Sequence, residues 1–127
     1  MAEIAHVEDA HWEYAVYMLA CAGDTIYTGI TTDVVRRLRE HLSGLNPGAR
    51  YTRSHQPTAL LALWDARNRA DASALEWHIK HLSRERKDAL VRGSITASEL
   101  VGEDAEFARV DESVIAELWA EAIRMLA

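Results

Sequence analysis

Apolar positions fall into short runs and helix-spaced stripes along this chain. Tyr14 to Ala20 (Tyr-Ala-Val-Tyr-Met-Leu-Ala) is an apolar run, and a polar break with Gly23-Asp24 separates it from Thr25-Ile26-Tyr27-Thr28-Gly29. Aromatic and β-branched residues around a Gly-Asp turn predict a β-hairpin. Thr31-Thr32-Asp33 then offers N-cap oxygens, and Val34, Val35, Leu38 and Leu42 recur at helical spacing until Ser43-Gly44, which predicts a first helix. Its opposite face carries Arg36, Arg37, Arg39, Glu40 and His41, with Arg37 and His41 one turn apart and able to point the same way. Leu45 to Pro57, rich in Gly, Asn, Pro and Ser, reads as a long surface loop, and Thr58 to Trp64 as a third strand.

Asp71 is placed to cap a second helix with a buried stripe of Leu75, Ile79 and Leu82, and Glu76 and Lys80 lie on its neighbouring face. Ser83 to Val91 forms a charged third helix that stops at Gly93, and Thr96 to Glu99 has capping-box spacing. Val114, Ile115, Leu118, Trp119, Ala122, Ile123 and Leu126 give a terminal helix with a broad apolar face. Such a face must pack on the preceding domain or on another chain. The expected organisation is therefore an acidic segment over 1–13, an α/β (α+β) domain over 14–93 and an acidic helical extension over 94–127.

A length of 127 residues with 49% apolar content suits one domain with one core. No run approaches the ~20 apolar residues of a membrane-spanning helix, and the start of the chain lacks the basic and apolar regions of a signal peptide. A soluble, cytoplasmic protein with no membrane partner is expected. Cys21 is the single cysteine, which excludes an internal disulfide and a cysteine-based zinc site, and no basic neighbour is evident to activate it.

The net charge of -6 argues against a nucleic-acid partner until its distribution is considered. Residues 1–13 hold four acids and no Lys or Arg, and residues 94–127 hold eight acids against Arg109 and Arg124. The middle, 14–93, has twelve Lys plus Arg against eight Asp plus Glu, so it is basic between two acidic ends.

Hydrolysis of a phosphodiester needs a base for water, positive charge on the phosphoryl oxygens and usually a divalent metal held by carboxylate. Tyr27, Arg37, His41 and Glu76 are of the right types. On residue types alone, a solvated helix face with sheet-core tyrosines is the better account of them. The segment Arg50-Tyr51-Thr52-Arg53-Ser54-His55 combines cations with aromatic rings, a mixture suited to gripping phosphates and stacking on a base. His78 and His81 flank Glu76, but no further ligands at zinc spacing accompany them.

Ala15-Val16-Tyr17, followed ten residues later by Tyr27-Thr28-Gly29, resembles the paired tripeptides of the GIY-YIG nuclease family, in particular its small stand-alone bacterial members. Arg37 and His41 stand where that family has its arginine helix, and Glu76 where it has a single metal-binding glutamate. The resemblance covers roughly 14–93. It implies a three-stranded antiparallel sheet flanked by helices, and a DNA endonuclease using Mg²⁺ or Mn²⁺, with repair or recombination roles and with RNA as an alternative substrate. It further implies that Glu76 holds the metal, that Arg37 contacts the scissile phosphate, and that the base lies among Tyr17, Tyr27 and His41. Arg36, Arg50, Tyr51, Arg53 and His55 are the expected substrate contacts.

Three departures qualify the activity expected. Ala15 replaces a glycine that strand geometry does not require. Ile30 stands where several family nucleases have a lysine that could lower the tyrosine pKa, which an apolar residue cannot do, and residues 83–93 contain none of the asparagine that many members place after the glutamate helix. These leave two further readings: a nucleic-acid-binding protein with weak catalysis, and a protein-interaction domain on the same fold. The acidic terminal helix would repel phosphate, which makes it a packing element, a surface for a homodimer or protein partner, or a partial cover over the basic face.

Overall fold

The computed structural model describes residues 13–44 and 50–126. The acidic amino-terminal segment lies outside the described residues except for Glu13. Strand β1 (Tyr14–Cys21) and strand β2 (Thr25–Thr31) form the expected hairpin, with Tyr17 opposite Gly29. Its turn places Gly23 and Asp24 in the left-handed region, with φ of 82° and 58°. Gly and Asp are among the residues that tolerate this conformation, so the turn follows from their order.

Helix α1 (Val34–Ser43) begins at Asp33, whose carboxylate accepts the Arg36 N–H, and ends at Gly44 with φ 70°. Helix α2 (Arg50–Ser54) precedes strand β3 (Pro57–Ala66). Residues 50–54 are thus helical where a loop was expected; Tyr51 and His55 stand at i, i+4 spacing and stack at 4.2 Å. Helix α3 (Arg69–Lys80) is capped by Asn68 and not by Asp71. Asp71 is instead buried in the first turn, where it accepts the Glu106 N–H at 3.0 Å and pairs with Arg67 at 3.0 Å. Helices α4 (Arg84–Arg92) and α5 (Ala97–Val101) start at Ser83 and Thr96, the latter with a complete capping box.

The sheet has the three expected strands and a fourth. Strand β4 (Phe107–Arg109) pairs antiparallel with β3, and the order is β2-β1-β3-β4. Only three residues long, it carries no alternating pattern that a sequence window would detect. The carboxy-terminal region therefore contributes an edge strand as well as helix α6 (Glu112–Arg124).

Alternation along β1 sends side chains to two cores. Tyr17 and Leu19 join Leu38, Leu63, Val114 and Ile115 beneath α1 and α6, whereas Val16 and Met18 join Trp64, Leu75, Ile79 and Leu90 beneath α3 and α4. A bulge between Met18 and Leu19 keeps both Leu60 and Leu63 on the first face. Arg109 clamps β4 to the end of α4, donating to the carbonyls of Leu90 and Val91 at 3.1 and 2.8 Å with its guanidinium 4.9 Å from the Trp64 ring. Cys21 is buried, and burial raises its thiol pKa, consistent with an unreactive side chain. Among the described residues no helix is long and apolar enough to cross a membrane.

Candidate functional site

The apolar stripe of α1 fixes which of its residues face the sheet. Leu38 is anchored in the core, and His41, less than one turn on, is carried inward with it to 1% exposure. Such a buried imidazole needs partners for both ring nitrogens. Tyr17 Oη lies 2.7 Å from Nε2, and Thr52 Oγ1 lies 2.8 Å from Nδ1. The chain Tyr17–His41–Thr52 thus links β1, α1 and α2.

Burial, then the positive charge of Arg37, lowers the His41 pKa to about 4, against a smaller opposing effect of Glu40. The imidazole is neutral at pH 7. Its Nε2 can then accept from the tyrosine hydroxyl while Nδ1–H donates to Thr52. Burial also raises the Tyr17 pKa, with the neighbouring Tyr27 adding to the effect, Arg37 opposing it and Glu76 contributing least.

Gly29 makes room for this arrangement. A Cβ at that position would lie 2.5 Å from Tyr17 Oη and 2.7 Å from Cζ, so the tyrosine ring passes across a gap that only glycine leaves. Tyr27 is half-buried on the same side, 5.0 Å from the His41 ring and 6.2 Å from Tyr17. Its ring stacks on Tyr51 at 5.5 Å, and Tyr51 on His55.

Arg37 is the cation at this cluster. Desolvation works against its charge, but hydrogen bonds to Glu40 and Tyr17 outweigh that and hold its pKa above the ordinary value. Glu40 accepts from Arg36 at 2.7 Å and from Arg37 at 2.8 Å, and these contacts lower the pKa of its carboxylate. Glu76, half-buried on α3, pairs with Lys80 at 3.1 Å and is near enough to Tyr17 to act on its ionisation.

Tyr17, Tyr27, Arg37, His41 and Glu76 are therefore brought to one region, as are Tyr51 and His55. Arg53 points elsewhere, with its guanidinium against the Gly44 carbonyl at 3.4 Å. Arg36 is half-exposed on the rim, and the side chain of Arg50 lies outside the described residues. Sequence reasoning missed Thr52, which lay inside the segment singled out but behind its more conspicuous charges. It also missed the steric role of Gly29, although a glycine within a β-rich run is itself a signal of close approach.

Residues 13–88 match the GIY-YIG catalytic domain. A UPF0213 protein from Desulfotalea psychrophila is 49% identical over 79 residues, spanning 62% of this chain and 71% of that protein. Another, from Cupriavidus necator, is 48% identical over 81 residues, spanning 64% and 84% respectively. The solution NMR structure of a UPF0213 protein from Bacillus halodurans is 44% identical, with 62% of this chain and 82% of that chain covered and a TM-score of 0.42.

Proposed function

Because the chain belongs to the GIY-YIG catalytic-domain family, we propose that it is a metal-dependent DNA endonuclease that hydrolyses phosphodiester bonds with Tyr17, Arg37, His41 and Glu76. The carrying observation is the 2.7 Å contact of the Tyr17 hydroxyl with a neutral His41 beside Arg37. Arg37 binds the scissile phosphate and offsets the charge that develops on it. Moving that guanidinium from Glu40 to phosphate uncovers the Tyr17 hydroxyl. Tyr17 then passes its proton to His41 Nε2 as it takes one from the attacking water. Phosphate beside Arg37 offsets the second cause of the low His41 pKa, after burial, so the imidazole is a better acceptor in the substrate complex than in the free protein. Thr52 holds the tautomer and Tyr27 forms the wall of the opening.

Among the described residues no group of three or more His, Cys, Asp and Glu is placed to hold an ion, which does not fit zinc. A single half-buried carboxylate, Glu76, fits a Mg²⁺ or Mn²⁺ that keeps much of its water and takes phosphate oxygens. When bound there, the ion would supply Lewis-acid charge at the scissile phosphate. The contacts proposed for Arg36, Arg37, Tyr51 and His55 are to backbone phosphate and to base faces. Neither reads base edges, which supports non-sequence-specific or structure-selective cutting in repair or recombination. The burial of Tyr17 favours one second reading, a nucleic-acid-binding protein of low catalytic power. The apolar face of α6 packs within the chain, but Ile123, Met125 and Leu126 stay exposed as a patch for a homodimer or protein partner.

The test is cleavage of single-stranded, duplex and branched DNA, and of RNA, with and without Mg²⁺ or Mn²⁺. Glu76→Ala and Arg37→Ala should abolish metal-dependent cutting, and Tyr17→Phe should slow it far more than Tyr27→Phe. Cutting that survives both Glu76→Ala and Arg37→Ala would overturn the site. Binding without cutting by the wild type would support the second reading.

A further inference from the structure

Beside the Tyr17 cluster lies an open cleft of about 400 Å³, bounded by the end of β2, the first half of α1 and the start of α3. Its lining includes Tyr14, Thr32, Arg36, Arg37, Glu40 and Arg69. Three guanidinium groups meet one carboxylate of the lining there, and Asp33 at the rim stands 3.9 Å from Arg36. Glu40 is shared between Arg36 and Arg37, and Arg69 makes no hydrogen bond or ion pair among the described residues. The cleft therefore carries a surplus of positive charge, and the hydroxyls of Tyr14 and Thr32 add donors. Such a lining suits a compact anion.

Arg37 connects this cleft to the proposed cutting site, since it lines the one and reaches Tyr17 in the other. Arg69 and Glu76 are seven residues apart, so they lie on one face of α3, roughly 10 Å apart along its axis. An anion at Arg69 is thus distinct from one held over Glu76, yet lies along the same side of the edge strand.

We propose that this cleft is a second phosphate subsite, in which Arg69, with Tyr14 and Thr32, takes a backbone phosphate on a nucleotide flanking the one that is cut. The proposal rests on the phosphodiesterase reading for its ligand class, but its test is a binding measurement. Arg69 anchors the strand and touches no reacting atom. It fixes the direction in which the strand runs past Glu76.

The experiment measures fluorescence anisotropy of a labelled 20-nucleotide DNA, single-stranded and duplex, against salt, for wild type, Arg69→Ala and Arg69→Lys. Arg69 is exposed at the first turn of α3, so thermal melting should confirm an unchanged fold. Arg69→Ala should weaken binding about tenfold and flatten the salt dependence by about one phosphate, with partial rescue in Arg69→Lys. Oligonucleotides with one uncharged methylphosphonate at successive positions locate the contact: at one flanking position the substitution should weaken wild type and leave Arg69→Ala unaffected. Cutting at saturating DNA should stay within about twofold of wild type, with the loss confined to KM. Equal affinity and salt slope in wild type and Arg69→Ala, or the same methylphosphonate penalty in both at every position, would overturn the subsite and leave the nuclease reading standing. Binding without cutting would overturn the nuclease reading and leave the subsite to the affinity data; no binding at all would overturn both.

Discussion

Gly29→Ala inserts one methyl group where the geometry leaves no room. The new Cβ would meet Tyr17 at 2.5 Å from Oη, 2.7 Å from Cζ and 3.1 Å from Cε1. Non-bonded carbons settle at about 3.5–4.0 Å, so the ring must retreat by roughly 1 Å. That retreat breaks the 2.7 Å contact with His41, which has no slack beyond hydrogen-bond range. Overpacking costs about 1–3 kcal/mol and the lost hydrogen bond about 1 kcal/mol, or ~2–4 kcal/mol together. The control is Gly23→Ala, where φ is +82° and nothing lies within 4 Å. It should cost about 1–2 kcal/mol through backbone strain alone. Urea unfolding and single-turnover cleavage, both below the melting range, separate the two. Gly29→Ala should lose more stability and at least about tenfold in cutting rate, whereas Gly23→Ala should lose stability only. Tyr17→Phe combined with Gly29→Ala should recover little stability, because Cζ remains in the way. Wild-type stability and cutting in Gly29→Ala, or equal loss of cutting in Gly23→Ala, would refute the reasoning.

Other expectations follow from single groups. Burial raises the Asp65 pKa to about 6, so its carboxyl ionises in the unfolded chain first, and stability present below about pH 4 is lost as pH rises to 6. Asp65→Asn should therefore stabilise the protein at pH 7 by up to about 3 kcal/mol, with the gain vanishing near pH 4 in urea titrations. His41 works in the opposite sense: its pKa near 4 in the fold gives stability that is present above about pH 6.5 and is lost as pH falls towards 4. Melting of Asp65→Asn between pH 7 and 4 should expose that acid loss, and a flat profile would contradict it. Arg109→Ala should cost about 2 kcal/mol by freeing β4 from α4, and Arg109→Lys should restore little, because an ammonium does not reproduce the planar two-carbonyl fork.

The elements with strong periodicity were legible in the sequence. The hairpin, α1, β3, α4, the capping box and α6 lie where apolar spacing and capping residues put them. β4 was not, because its place as an edge strand is decided by pairing with β3 over Trp64 to Ala66. Asp71 was misjudged as a cap because two nearby side chains can cap the same helix. Asn68 takes that place, and Asp71 bonds across 35 residues to Glu106. In the site, Tyr17, Tyr27, Arg37, His41 and Glu76 were selected together by the family resemblance, residue types alone favouring a solvated face, and the fold brings them to one region. Their hydrogen-bond order was not legible, since it depends on how deeply Leu38 draws His41 inward and on Thr52 meeting it from α2.

The same geometry bears on the missing lysine. Ile30 is half-buried in the core beneath α3, and it also lines the cleft that holds Arg69. A cation at position 30 would thus enter that cleft from β2. In this chain β2 offers an apolar side chain there, and α3 brings Arg69 to the same space. Arg69 cannot substitute for a lysine that acts on a tyrosine, because Ile30 faces the core opposite to Tyr17 and Tyr27. The tyrosine that hydrogen-bonds an imidazole is Tyr17, and its partner is His41. In the proposed reading, positive charge on the α3 side serves strand binding, while the proton leaves through the His41 imidazole beneath α1. Replacing Ile30 by Lys should tighten binding to DNA, and because Arg37 lines the same cleft and reaches Tyr17, it should move the pH–rate profile only through Arg37. Unchanged DNA affinity in Ile30→Lys, or a shift of the pH–rate profile that persists in the Arg37→Lys background, would contradict this.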